Sequence, residues 1–282
     1  MFHGLSAFPL TPLKAGKFDE RAFAGLLAPL VDAGVDSLGI LGSTGSYAYL
    51  TPDERAYITR CAVEQAGDIP VMVSIGALRL EDILRLADDA QAAGASSVLM
   101  APVSYQRLTA DEVYALYERV TRQLSVPLCV YDNPATTGFE FSHALMRAVA
   151  ALPNVGSVKC GRVPEDVAQL RASLPPSVTL GISGDWQAAS ALRAGFDVWY
   201  SVVAGLFPRT ALAIARAADT APSDRLAPLW ALFRQYGSLR VMAAAAEMAG
   251  RVEAPALPFP LRAISGEPRE RLAALIESLA LA

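Results

Sequence analysis

Short apolar runs alternate with longer stretches of helical periodicity over most of the 282 residues. Eight of the runs predict strands: residues 5–8, 37–41, 71–75, 97–101, 128–131, 156–159, 179–183 and 198–202. They are continuous and rich in Val, Ile and Leu, the pattern of parallel strands covered on both faces. The stretches between them carry readable helix ends. Thr51-Pro52-Asp53-Glu54 combines an N-cap, a proline at the first helical position and a capping-box glutamate. Thr109-Ala110-Asp111-Glu112 repeats the capping box. Ala33-Gly34, Ala93-Gly94 and Ala194-Gly195 each stop a helix with a C-terminal glycine and lead into a strand.

Eight strands alternating with helices over about 220 residues is the arithmetic of a closed (β/α)8 TIM barrel, an α/β fold. An open doubly wound sheet shares the alternation, but no Gly-x-Gly-x-x-Gly follows the first strand. After Asp219-Thr220-Ala221-Pro222 the strand pattern stops, and helical material continues to Ala282, interrupted by the proline-rich residues 255–260. The expected organisation is a catalytic barrel over residues 1–220 and a small helical region, 221–282, packed on it. In such a barrel, chemistry belongs on the loops at the strand C-termini.

Composition narrows the function. A chain that is 53% hydrophobic and 18% charged is no disordered tail. A net charge of −4 leaves no basic face for nucleic acid or an anionic membrane. No apolar run reaches the roughly 18 residues of a spanning helix. Met1-Phe2-His3-Gly4 lacks the basic-then-apolar pattern of an export signal. Cys61, Cys129 and Cys160 are odd in number and widely spaced, against a disulfide framework or a Cys-x-x-Cys metal site. His3 and His143 lie too far apart to suggest zinc or a His-based triad. The expectation is a cytoplasmic protein working without metal or cofactor.

Lysine is the scarce residue. Of 24 basic residues only Lys14, Lys17 and Lys159 are lysines, and the first two fall in a polar early loop as solvated charges. Lys159 closes the apolar stretch Val155-Gly156-Ser157-Val158, where burial of a charge is expensive. Arginine cannot replace lysine as a desolvated amine that attacks a carbonyl to form a Schiff base. The plainer alternative is a strand-end lysine paired with a carboxylate in the barrel mouth.

Other strand ends supply further candidates. Gly42-Ser43-Thr44-Gly45-Ser46 follows the second strand; it reads as a plain turn or as a backbone cradle for a carboxylate or phosphate. Tyr131-Asp132-Asn133-Pro134 ends the fifth, and its phenol either relays protons or fills the top layer of the barrel. Pro102-Val103-Ser104-Tyr105 offers a second loop tyrosine, whose simpler role is a surface or interface aromatic. Cys160 has no histidine placed to activate it and is assigned to packing.

Taken in order, these positions resemble the dihydrodipicolinate synthase / N-acetylneuraminate lyase family of pyruvate-dependent class I aldolases. The resemblance runs from Gly4-Leu5-Ser6-Ala7-Phe8-Pro9-Leu10-Thr11-Pro12 to the C-terminal helices. Its specificity lies in Gly42-Ser43-Thr44-Gly45, Tyr131-Asp132-Asn133-Pro134, Lys159 and Ser183-Gly184-Asp185 on successive strand ends. It implies that Lys159 forms the Schiff base with pyruvate or another 2-oxo acid. By the same resemblance Ser43 and Thr44 hold that acid's carboxylate, and Tyr131 shuttles protons. Thr44 would link Tyr131 to Tyr105, which is lent to a neighbouring subunit, and Tyr200 would offer a backbone carbonyl near the oxo acid. A homotetramer built as a dimer of dimers is implied as well, with a small-molecule 2-oxo acid and an aldehyde as partners.

Three departures bear on the substrate. The family's Gly-Thr/Ser-Thr-Gly-Glu has Ser46 in place of the glutamate, followed by Tyr47. Dihydrodipicolinate synthases carry an arginine where Thr136 stands, and threonine cannot imitate that bidentate clamp. Cys160-Gly161-Arg162 replaces a Glu-containing stretch, so Arg162 either meets an acidic second substrate or pairs locally with Glu165 or Asp166. The function expected is a Schiff-base lyase or aldolase acting on pyruvate or another 2-oxo acid and an aldehyde. The alternatives are 4-hydroxy-tetrahydrodipicolinate synthase, a 2-oxo acid dehydratase or deaminase using the same imine, and a non-catalytic 2-oxo acid-binding barrel. Tyr47, Thr136, Arg162 and Trp186 are the side chains expected to choose the second substrate.

Overall fold

The computed structural model of the chain describes residues 2–163 and 166–282. Eight strands close into one barrel. They are β1 (Gly4–Ala7), β2 (Ser37–Ile40), β3 (Val71–Ser74), β4 (Ser97–Met100), β5 (Leu128–Asp132), β6 (Val155–Cys160), β7 (Thr179–Ile182) and β8 (Val198–Ser201). Every neighbouring pair is parallel, and β1 closes the ring by pairing with β8 on one side and β2 on the other. The predicted strands and the observed ones agree to within a residue or two at each end. Phe8, one residue past β1, still donates its N–H to the Ser201 carbonyl at 2.9 Å.

The principal crossover helices are α1 (Glu20–Ala33), α2 (Pro52–Ala66), α3 (Leu80–Ala92), α4 (Ala110–Thr121), α5 (His143–Ala150), α6 (Val167–Ser173), α7 (Ala188–Arg193) and α8 (Pro208–Arg216). Both capping boxes form: Thr51 and Thr109 accept from the N–H of Glu54 and Glu112, whose carboxylates reach back to the cap N–H. Gly34, Gly94 and Gly195 take positive φ at the helix ends. Beyond α8 follow α9 (Ala227–Tyr236), α10 (Ser238–Met248) and α11 (Glu267–Leu279). In α10 the buried Ala243 and Ala246 let the helix lie close against Leu10 and Leu26 of the barrel. Among the described residues no helix is long and apolar enough to cross a membrane.

One feature lay outside the sequence pattern. Residues 13–14 and 17–18 form a two-stranded antiparallel hairpin turned by Ala15 and Gly16, both at positive φ. Two-residue strands are too short to leave a periodicity. Lys14 is a solvated charge as expected, and it meets Glu253 at 2.8 Å in an exposed pair worth little to stability.

Strand alternation splits the interior into two layers with different jobs. Outward residues such as Leu38, Ile40, Val98, Val130 and Val158 pack under the helices in the main hydrophobic core. Inward residues form a second, smaller cluster containing Phe8, Met72, Leu99, Cys129, Tyr131 and Tyr200. Glycines make room for its rings. A Cβ on Gly39 would stand 2.2 Å from Phe8 Cζ, and one on Gly181 would stand 2.3 Å from Tyr200 Cε2. A Gly39→Ala substitution therefore overpacks the barrel interior and is expected to lower stability by about 1–3 kcal/mol. The midpoint of urea unfolding, compared with wild type, checks it.

Candidate active site

Lys159 lies on β6, facing into the barrel at the C-terminal end, beside Tyr131 of β5 and Gly181 of β7 in the strand register. Its side chain is buried, and no carboxylate forms an ion pair with it among the described residues. Three rings surround the ammonium: its Nζ is 3.9 Å from the centre of Phe8, 4.2 Å from Tyr131 and 5.5 Å from Tyr200. Burial lowers the amine pKa from 10.5 to about 8. Asp185, whose negative charge opposes that shift, accepts hydrogen bonds from Trp199 Nε1 at 2.8 Å and from the N–H groups of Val203 and Val202 at 2.8 and 3.2 Å. Those donors fix the carboxylate to the backbone after β8, and it forms no ion pair with the lysine.

Tyr131 occupies the next position around the rim. Asn133 Nδ2 donates to its hydroxyl at 2.9 Å, and the hydroxyls of Ser183 and Ser43 face it. Burial pushes its pKa up to about 12, so the phenol holds its proton at neutral pH, while the three neighbouring donors favour a transient phenolate. Ser183 and Asn133 belong to motifs visible in the sequence, yet neither was singled out. Phe8 was also missed, although two-residue alternation from Ser6 puts it on the inner face.

The loop after β2 explains why one hydroxyl of the Ser43-Thr44 pair reaches Tyr131 and the other does not. Leu41 adopts φ 58°, a left-handed conformation rare for a branched residue, and folds the loop back on itself. Gly45 packs so tightly on that turn that a Cβ would come within 2.9 Å of Leu41 Cα. Ser43 is consequently exposed at the mouth. Thr44 is buried behind the loop, among Phe8, Leu10, Val202 and Met242. Among the described residues no hydrogen bond joins Thr44 to Tyr131, and the Tyr105 of the expected link is one lent by a neighbouring subunit. Tyr105 is 91% exposed on the loop after β4 and points out from the chain.

The remaining candidates fall in different places. The Tyr200 side chain sits in the barrel floor, its hydroxyl 2.7 Å from Ser157 Oγ and accepting from Cys129 Sγ at 3.5 Å. Thr136 lies exposed on the turn after β5, its hydroxyl directed to the Asn133 carbonyl at 3.3 Å. Tyr47 lies against Gly76 with the guanidinium of buried Arg55 4.9 Å from its ring centre. Arg162 lies on the loop after β6. It lines a cavity of about 600 Å3 outside the barrel, with Asp132, Cys160 and residues of α5 and α6, and neither Lys159 nor Tyr131 borders that space. Its partner is Glu140, 22 residues away in sequence, rather than Asp166; Glu165 lies outside the described residues. Cys160 points outward because it follows the inward Lys159, and burial drives its thiol pKa far up, consistent with packing.

A closed parallel barrel with a buried lysine, unpaired among the described residues, and a phenol at the same rim is the arrangement of an enzyme that works on carbonyl compounds through an amine. A sequence model of the Dihydrodipicolinate synthetase family matches residues 1–279, and the chain belongs to that family. It is thus a Schiff-base carbon–carbon lyase by class. The solved dihydrodipicolinate synthase of Agrobacterium tumefaciens is 42% identical, covers 99% of this chain and 98% of its own, and superposes with a TM-score of 0.93. A putative dihydrodipicolinate synthetase from Pseudomonas aeruginosa is 28% identical, with 99% and 100% covered and a TM-score of 0.91. The 4-hydroxy-tetrahydrodipicolinate synthase of Nitrobacter hamburgensis is 29% identical over 247 residues, 84% of this chain and 83% of that protein.

Because Ser43 alone of the two loop hydroxyls faces Tyr131, Ser43→Ala is expected to slow turnover by roughly tenfold or more, and by more than Thr44→Val does. Steady-state kcat for the two variants side by side reads the ranking.

Proposed function

We propose that the enzyme makes or cleaves a carbon–carbon bond between a 2-oxo acid, pyruvate or a close analogue, and an aldehyde, through an imine on Lys159. The observation that carries this reading is a buried amine at a strand end, with no carboxylate partner among the described residues and a pKa near 8. Such an amine is neutral often enough at physiological pH to attack a carbonyl. The Nζ lone pair adds to C2 of the oxo acid, and the carbonyl oxygen, after taking up two protons, leaves as water. The protonated imine that remains is the electron sink. Loss of a proton from C3, or of the aldehyde from C3, leaves an electron pair that flows to the nitrogen and gives the enamine. In the joining direction C3 of the enamine attacks the aldehyde carbon, and water added at C2 then frees the lysine.

Tyr131 is the proton carrier in this scheme. A phenol with a pKa near 12 delivers a proton to the departing oxygen, and the Ser43, Ser183 and Asn133 donors hold the phenolate until a proton returns. The 2-oxo acid's carboxylate is assigned to the loop after β2. Backbone N–H groups of Ser43 and Thr44 make no hydrogen bond to the described residues and supply its donors, beside the Ser43 hydroxyl. Thr44 contributes there through its backbone, and Tyr200 through its carbonyl at the end of β8.

The second substrate is assigned to aldehydes without a carboxylate. Thr136 offers no charge. Both terminal nitrogens of Arg55 are committed to the carbonyls of Gly76 and Ser74, at 2.9 and 2.8 Å. Arg162 pairs with Glu140. A second reading, 4-hydroxy-tetrahydrodipicolinate synthase, is favoured by the names of the relatives. It requires another grip on the carboxylate of aspartate semialdehyde. A homotetramer of tight dimers, with Tyr105 completing a neighbour's site, accounts for a tyrosine left 91% exposed.

Incubation with pyruvate and borohydride is expected to add the mass of a reduced adduct to the wild type and not to Lys159→Ala. Absence of an adduct with pyruvate and every other 2-oxo acid tried returns the chain to a non-catalytic binder. The retained adduct then allows a panel of neutral hydroxyaldehydes to be set against aspartate semialdehyde, with faster turnover expected for the neutral class. Tyr105→Phe is expected to slow turnover while leaving the assembly mass unchanged by light scattering; an unaltered rate removes the shared-tyrosine assignment.

A further inference from the structure

The chamber that holds the Lys159 nitrogen is built of rings where an ion pair would ordinarily stand. Phe8 presents its face at 3.9 Å, nearer than either tyrosine. The ring is held in place from three sides. Gly39 and Gly42 lack the side chains that would collide with it, at 2.2 and 2.9 Å for a Cβ. Tyr200 meets Phe8 edge to face, with centroids 6.0 Å apart and planes at 85°. Tyr200 is fixed in turn by Ser157, which receives a further hydrogen bond from Thr179 at 2.9 Å, and by the bare backbone of Gly181.

We propose that the face of Phe8, braced by Tyr200, is the counter-charge of Lys159, taking the place of a carboxylate for the ammonium and for the protonated imine. The imine half rests on the function proposed above; the ammonium half does not. An aromatic face attracts a cation through its quadrupole but accepts no proton and forms no directed ionic hydrogen bond. A carboxylate at the same distance would hold the proton on the amine and oppose its attack on a carbonyl. It would also neutralise the imine that must draw electrons from C3. A ring supports the positive nitrogen in both states more weakly than a carboxylate would, so it holds the proton on the amine less firmly and leaves the imine its net charge.

The test reads the amine directly. The pH dependence of Lys159 carbamylation by cyanate, followed by peptide mass spectrometry, gives the midpoint at which the amine becomes neutral. In Phe8→Leu the chamber stays apolar and loses the π face. The midpoint is expected to fall by about 0.5–1 pH unit relative to wild type. A trifluorinated phenylalanine at position 8 keeps the ring's shape and cancels its quadrupole, so it covers the case in which the leucine variant fails to fold; the same downward shift is expected. A midpoint that stays or rises in the fluorinated protein overturns the proposal, because the ring then acts by excluding water alone. Borohydride trapping with pyruvate, run on the same samples, reports separately on the imine: its failure overturns the proposed function and leaves the amine titration readable.

Discussion

A lysine buried at the mouth of the barrel, with no ion-pair partner among the described residues, is the constraint around which the rest of the structure is arranged. Removing an ammonium from water without a counter-ion is unfavourable, and the protein accepts that in exchange for an amine that is partly neutral. The fold tolerates it because the two sides of the barrel wall are independent. Stability comes from the outer layer, where the strands meet the helices through a continuous apolar core. The inner layer is then free to hold serines, a thiol, two tyrosines and the lysine.

Glycine is what makes the inner layer workable. Phe8 and Tyr200 are large for a barrel interior, and each leans across a neighbouring strand at a position with no side chain. The register supplies that complement. Gly181 stands beside Lys159, so the ring of Tyr200 can pass over β7 and reach the amine from the far side. The alternation that points Lys159 inward sends Cys160 outward, and the chain that follows carries Arg162 to a separate cavity with Asp132. Neighbours in sequence thus end on opposite sides of the barrel wall.

The strands and helix caps were legible because each rests on local chemistry: apolar runs, capping boxes and C-terminal glycines. Lys159 was legible through scarcity, since a chain built on arginine retained a lysine at an apolar strand end. What the pattern did not carry was side-chain direction in loops. Ser43 and Thr44 look equivalent as letters; only the left-handed turn at Leu41 and the contact of Gly45 with it turn one to the phenol and bury the other. The Glu140 partner of Arg162 was not legible for a related reason. Local spacing favoured Asp166 or Glu165, whereas the fold brings Glu140 from the β5–α5 connection. The role of Phe8 needed distances, because an apolar residue after a first strand reads as packing until a cation is found over its face.

The two groups proposed to act together have pKa values on opposite sides of their ordinary order. The amine, near 8, loses its proton well before the phenol, near 12. Over the interval between them the lysine is a nucleophile and the tyrosine an acid at once, the pair of states that carbinolamine formation and dehydration require. Burial produces both shifts, since it disfavours whichever form of each group is charged: ammonium in one, phenolate in the other. One dry chamber therefore prepares a base and an acid without a histidine or a carboxylate. With a pKa of about 8, a minority of the amine is neutral at pH 7 and the rest is ammonium. A stronger shift would raise that fraction but weaken the support for the cationic imine that follows. A pKa near 8 lets the same nitrogen serve as a nucleophile first and as an electron sink afterwards.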